Sequence, residues 1–194
     1  MAFVSWPNGK FHKFRPDIEG NYLKSLNLAP GLFERVRNGK REERFAGTAD
    51  VPNFFRKPYG PGWALVGDAG YHKDPVTGKG ITDAFLDAEL LAEAIDEGFS
   101  GRRPLEETLA GYEEKRNQDR MPMYELTCQL ASLAPLSTEQ MRLYAALREN
   151  PVETNRFFGA IAGTVSVPVF YSPENIRRIA DGAQLKNARV RLAA

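Results

Sequence analysis

The stretch from Trp63 to Ile95 limits the fold more than any other part of the chain. Trp63-Ala64-Leu65-Val66 is an apolar run of strand length, and it ends at Gly67-Asp68. A loop rich in proline and glycine follows, from Ala69 to Gly80. Then Ile81, Ala84, Phe85, Ala88, Leu91, Ala92 and Ile95 recur at threes and fours, the period of a helix with one apolar face. Gly98 reads as the C-cap of that helix. The run predicts a buried strand that carries Asp68 to its C-terminal end, the edge at which open α/β sheets bind ligands. The first turn of a helix leaves backbone N–H groups free, and these attract anionic or electron-rich atoms. Gly78 and Gly80 let a ligand come close to the backbone. Asp68 can accept hydrogen bonds from the hydroxyls of a sugar or polyol. Together these features point to a nucleotide-like cofactor lying across a helix start.

Counted from Asp68, Pro75 stands at plus seven, Gly78 at plus ten, Gly80 at plus twelve, Ala84 at plus sixteen and Asp87 at plus nineteen. With the leading Gly67-Asp68-Ala69, this series resembles the second FAD-binding motif of the aromatic-hydroxylase-like flavoprotein monooxygenases. The resemblance covers about 30 residues directly and implies FAD as cofactor, with NAD(P)H as co-substrate of the complete enzyme. It places Gly67 and Asp68 at the ribityl chain, Pro75 beside the isoalloxazine ring, and the backbone of Gly78, Lys79, Gly80 and Ile81 at the flavin N1/C2=O edge. Lys79 would add positive potential near the ring; it reads equally as an exposed loop lysine. Tyr71 stands where the family has a histidine, and His72 follows one position later. The resemblance names no catalytic residue.

The same family carries a GxGxxG between its first strand and helix, which binds the pyrophosphate, and a middle Asp-Gly motif. This sequence has neither. The chain therefore reads as the C-terminal portion of such a flavoprotein, of α+β class. Residues 1–58 would be the end of a β-rich substrate-binding sheet domain. Residues 59–130 would be the last strand and helices of the FAD domain, and residues 131–194 a helical extension.

Outside the motif the sequence predicts elements of ordinary kind. Phe3–Trp6 and Lys10–Arg15 read as a hairpin turning at Pro7-Asn8-Gly9, Asn-Gly being a strong hairpin signal. Helices are expected at Asp17–Leu26 and Leu32–Arg37, and strand fragments at Arg41–Phe45 and Asn53–Arg56. Pro58 to Gly62 reads as a hinge-like linker. A helix starts near Pro104 and is broken or kinked at Pro122. Ser137 with Gln140, and Asn150 with Glu153, have the spacing of capping boxes. Ser172-Pro173 opens a last short helix, and the chain is expected to fray from Lys186.

Composition removes several function classes. A net charge of +1 over 194 residues gives no general attraction to nucleic acid or membrane. The charge is uneven: residues 1–60 carry a net +5 and residues 61–194 a net −4. A lone cysteine, Cys128, allows no internal disulfide and reads as a buried structural thiol. No His, Cys or Asp cluster has metal-ligand spacing. The start lacks a basic segment followed by an apolar run, so a cytoplasmic protein is expected. The favoured function is an FAD-dependent oxidoreductase, most like a single-component monooxygenase acting on a small organic substrate. A flavin reductase or halogenase of the same superfamily is the sister reading. The competing class is a non-catalytic remnant or partner-binding subunit. In either case the chain would be completed by a complementing N-terminal half or would associate as a homodimer.

Overall fold

Asn8-Gly9 does not turn a hairpin. In the computed structural model, which describes residues 2–192 with side chains through residue 182, Gly9 lacks the positive φ that such a turn requires. Pro7 instead accepts a hydrogen bond from the Lys10 amide, and a 3-10 turn at Asn8–Lys10 leads into helix α1 at Phe11–Phe14. The expected strands at Phe3–Trp6 and Lys10–Arg15 are absent because the aromatic residues pack at helical spacing. Trp6 meets Phe14 edge-on at 5.0 Å, and its indole N–H donates to Ser25. Six residues of loose alternation had been compatible with either period.

The chain divides into two units, Met1–Val51 and Pro52–Ala194. The first contains α1, α2 at Ile18–Leu26 and α3 at Pro30–Arg37. Asp17 caps α2 by accepting from the Gly20 amide, and Leu26 is its buried centre. The segment Arg41–Phe45 forms no strand. Its charged side chains have nothing to bury, and it is held by Phe45 against Tyr22 and by Arg41 on Glu19.

The second unit opens with an antiparallel ribbon. Strand β1, Phe54–Phe55, pairs with β4, Tyr71–His72; β2, Tyr59–Gly60, pairs with β3, Trp63–Ala64. Pro58 to Gly62 is thus a ribbon tip rather than a linker. Pro61 and Gly62 occupy its corners, and Gly62 has φ 80°, as a turn of type II requires. Trp63–Val66 was expected as a buried strand of a larger sheet. Only Trp63–Ala64 is strand, its partner is local, and Trp63 is about half exposed. The reason is competition: a neighbouring strand two residues away closes at lower entropic cost than any distant one. The fold is α+β and mostly helical, with short antiparallel strands only among the described residues.

Helices α4, Gly80–Phe99, and α5, Leu105–Ala131, form an antiparallel hairpin. Gly98 is not the C-cap of α4, which continues to Phe99; it is the point of closest approach. A Cβ there would stand 2.6 Å from Leu105 Cδ1. Helix α5 runs through Pro122 without ending. Its Cys128 is only partly buried.

Four more helices complete the unit: α6 at Thr138–Arg148, α7 at Pro151–Ala162, α8 at Val167–Phe170 and α9 at Pro173–Leu192. Helix α9 is therefore not short, and it passes the expected fraying point at Lys186. Leu143, Ala146, Leu147, Ala160, Phe170 and Ile179 form the core of these helices. The capping box of Ser137 and Gln140 is present in full. Asn150 caps α7 but its partner does not reciprocate: Glu153 is turned inward to Arg156 and Arg178. Among the described residues no helix is long and apolar enough to cross a membrane.

Helix α4 departs most from expectation. The apolar stripe that defined it in the sequence meets the core along one edge only, where Ala84, Leu91 and Ile95 are half-buried. Ile81 is 78% and Phe85 74% exposed, and Ala88 and Ala92 are exposed as well. The face turned inward carries Asp83, Asp87 and Ala94.

Candidate functional site

Two acidic residues one turn apart on α4, Asp83 and Asp87, and two arginines one turn apart on α5, Arg116 and Arg120, carry a polar layer in which one pair, Asp87 with Arg120, joins the helices directly. Asp87 is fully buried and accepts from Arg120 Nε at 2.9 Å. Arg116, also buried, donates to the Arg56 carbonyl and to Asn117, and its guanidinium lies over the Phe55 ring. Gly70 has no side chain because Arg116 Nη1 stands where one would go, 2.9 Å from a built Cβ. Asp83, four residues before Asp87, is 4% exposed and accepts from both Tyr71 Oη and Lys73 Nζ. Lys73 Nζ also donates to Tyr71 Oη at 2.9 Å.

An isolated buried ion would cost several kcal/mol, roughly. Asp83 and Asp87 are paired with Lys73 and Arg120, whereas Arg116 has only neutral acceptors, and its Nη1 and the second oxygen of Asp87 have no partner among the described residues. Burial, then the Asp83 and Asp87 carboxylates, pushes the Tyr71 hydroxyl far above its ordinary range, so it stays protonated and donates. Burial raises Asp87 too, against the pull of Arg120. Burial and Asp87 push Tyr112 up to about 12, and its hydroxyl donates to the Leu65 carbonyl.

Above this layer the first turn of α4 begins. Lys79 is its N-cap, and its carbonyl accepts from the Asp83 amide. No side chain caps the helix, so the amides of Gly80, Ile81 and Thr82 find no acceptor among the described residues. Asp68 lies in a 3-10 turn, Gly67–Ala69, rather than at a strand end. Its carboxylate is exposed and makes no hydrogen bond with a described residue. It stands across from the helix start: a Cβ on Gly80 would be 3.8 Å from Asp68 Oδ1. Gly67, at φ 59°, brings the turn against α4, where a Cβ would be 3.1 Å from that of Ala84.

Gly67, Asp68 and Gly80 thus line one small polar cavity, together with Tyr71, Lys73 and Asp83. Its volume is about 10 Å³, room for about one water. The other residues named from the sequence stand outside it. Pro75, Gly78 and Ile81 are exposed, with Gly78 at φ 62° ending the turn Pro75–Thr77. Lys79 reaches the other way, donating to the Ala162 carbonyl at the end of α7 at 3.0 Å. His72 is a strand residue, its ring nitrogen on the Pro52 carbonyl.

Sequence reasoning missed Tyr71, Lys73, Asp83, Arg116 and Arg120 as a group. A signal was available: Asp83/Asp87 and Arg116/Arg120 share the i, i+4 spacing on consecutive helices. Among the described residues no group of His, Cys, Asp and Glu could hold a metal ion. Comparison with models of protein families, with curated proteins and with solved structures finds no match.

Proposed function

We propose that this chain supplies the ring-and-ribityl side of an FAD site in an oxidoreductase, most like a single-component NAD(P)H-dependent monooxygenase of a small organic substrate. The observation that carries this reading is the free Asp68 carboxylate opposite Gly80, beside three amides without acceptors. Asp68 would accept from the ribityl hydroxyls. The amides of Gly80 and Ile81 would face the N1/C2=O edge of the flavin, where the positive end of α4 favours negative charge. FAD, when bound, supplies the redox chemistry; the protein supplies orientation and field.

The fit covers one side of the cofactor. No glycine-rich strand-to-helix turn for the pyrophosphate occurs in the sequence. The exposed Ile81–Phe85–Ala88–Ala92 face supports completion by a further segment or by a second copy. It equally favours the second reading, a partner-binding subunit without activity of its own.

Titration of the chain into FAD, followed by flavin fluorescence with light scattering alongside, separates these. The expected result is weak binding, which Asp68→Ala weakens by a further tenfold or more, since a hydrogen bond to a charged group is worth about 1.5–3 kcal/mol. Tight binding by a monomer would overturn the half-site, and binding unchanged in Asp68→Ala would remove Asp68 from it.

A further inference from the structure

A second cavity lies on the opposite side of the α4 start. It is a cleft of about 360 Å³, within the roughly 300–1,000 Å³ usual for small-molecule sites. Its walls come from four helices: Thr82 and Leu86 on α4, Pro122 and Met123 on α5, Ala160 and Ala162 on α7, and Val165 to Pro168 leading into α8. Most of that lining is apolar. Two cations, Lys79 and Arg120, and two carboxylates, Asp83 and Asp119, interrupt it.

The disposition of those cations is specific. Arg120 is 12% exposed, and its Nε is spent on Asp87. Its two terminal nitrogens have no hydrogen-bond partner among the described residues. The Asp87 pair fixes the guanidinium plane, so the remaining fork is held ready without further loss of side-chain freedom. Lys79 closes one end by reaching over to the Ala162 carbonyl, a single neutral acceptor that leaves two of its three donors uncommitted. The carboxylates that line the cleft are already engaged, Asp83 with Lys73 and Tyr71 and Asp119 with Lys115, as is Asp87 behind them with Arg120. The uncommitted donors of Arg120 and Lys79 suit an anion with an apolar body.

We propose that this cleft binds a small carboxylate carrying a single ring or short apolar chain, its carboxylate on Arg120 and Lys79 and its body against Leu86, Met123 and Val165. Asp83 lines both this cleft and the cavity of Asp68, so the two sites share the first turn of α4. That the bound acid is the substrate rests on the flavin reading; that the cleft binds it does not.

Benzoate and its neutral analogue benzamide are the probes, followed by ligand-observed NMR titration of the chain and its variants. Benzoate is expected to bind saturably, and benzamide about tenfold more weakly, the difference of one charge-assisted contact. Lys79→Gln should weaken benzoate about threefold, being a more exposed contact. Arg120→Lys keeps a cation beside Asp87, so the fold is retained, yet loses the fork and should cost benzoate about tenfold. Thr82→Trp fills the cleft from an exposed helical position and should abolish binding. Equal affinity for the two probes, or benzoate binding unchanged in Thr82→Trp, would overturn the proposal. Loss of benzoate in Asp68→Ala would overturn it as well, by moving the anion to the other cavity. FAD titration of the unaltered chain reports on the flavin reading separately, because benzoate binding requires no flavin.

Discussion

Asp87 and Arg120 join α4 to α5 through one hydrogen bond at 2.9 Å, with Asp87 wholly removed from water. The second oxygen of Asp87 has no partner. Burial therefore outweighs the arginine and lifts the carboxyl above its ordinary value of 3.8. In the interval between 3.8 and the raised native value, the unfolded chain has released this proton and the native chain has not. Ionisation then favours the unfolded state, so this group makes stability fall as pH rises through that interval. Asp87→Asn keeps an acceptor for Arg120 Nε and cannot ionise. Urea midpoints followed from the ordinary carboxyl range to neutral pH should show a flatter profile for the variant. Parallel profiles would refute the burial argument.

Lys73 and Asp83 should behave as a unit. Removing one partner of a buried pair typically costs about 3–5 kcal/mol, whereas replacing both with apolar residues is often neutral. Lys73→Met alone is expected to lose stability of that order, and Lys73→Met with Asp83→Leu to recover most of it. Additivity within about 0.5 kcal/mol in the double-mutant cycle would mean that the two side chains are not coupled.

Tyr171 buries a hydroxyl with no hydrogen-bond partner. An orphaned group of this kind costs about 1–3 kcal/mol, so Tyr171→Phe should stabilise the chain by about 1 kcal/mol. Burial also pushes this hydroxyl up to about 12 from 10.0. A raised phenol contributes stability below pH 10.0 that is lost as pH climbs toward 12. Thermal melts from neutral to alkaline pH should show a smaller alkaline decline in the variant. A destabilised Tyr171→Phe would reveal a partner for the hydroxyl.

The outward face of α4 can be tested at Phe85. Phe85→Lys should change stability by less than about 0.5 kcal/mol, as exposed substitutions do, and should reduce self-association in light scattering. If Phe85 were in a core, the same change would exceed the roughly 3–5 kcal/mol of Phe→Ala.

What the sequence made legible follows from how local each signal is. Ser137 and Asn150 were readable as caps because a cap needs only residues three positions away. Gly67, Asp68 and Gly80 were readable as neighbours because one short stretch of chain, Ala69 to Lys79, joins them. Periodicity found α4 and its length but misplaced the centre of its buried face, leaving Ala84, Leu91 and Ile95 half-buried at its edge. Apolar spacing reports that a helix has two faces; it does not report that Lys73 and Arg120 come from elsewhere to neutralise the polar one. The hairpin at Phe3–Arg15 failed for a related reason, since Trp6 answers to Ser25 and Phe14 rather than to a facing strand. The cleft at Arg120 depends on residues from four helices and was beyond any pattern confined to one.

Leaving Ile81 and Phe85 in water also shapes the temperature response. Unfolding can newly hydrate only apolar surface that folding had covered, and that surface sets the heat-capacity increment, typically about 12–15 cal/mol/K per residue. A helix already wetted on its hydrocarbon side contributes less than its share. The increment should sit low in that range, and the stability curve should be broad and shallow. Anything that comes to cover that face should announce itself calorimetrically, by a negative heat-capacity change on association.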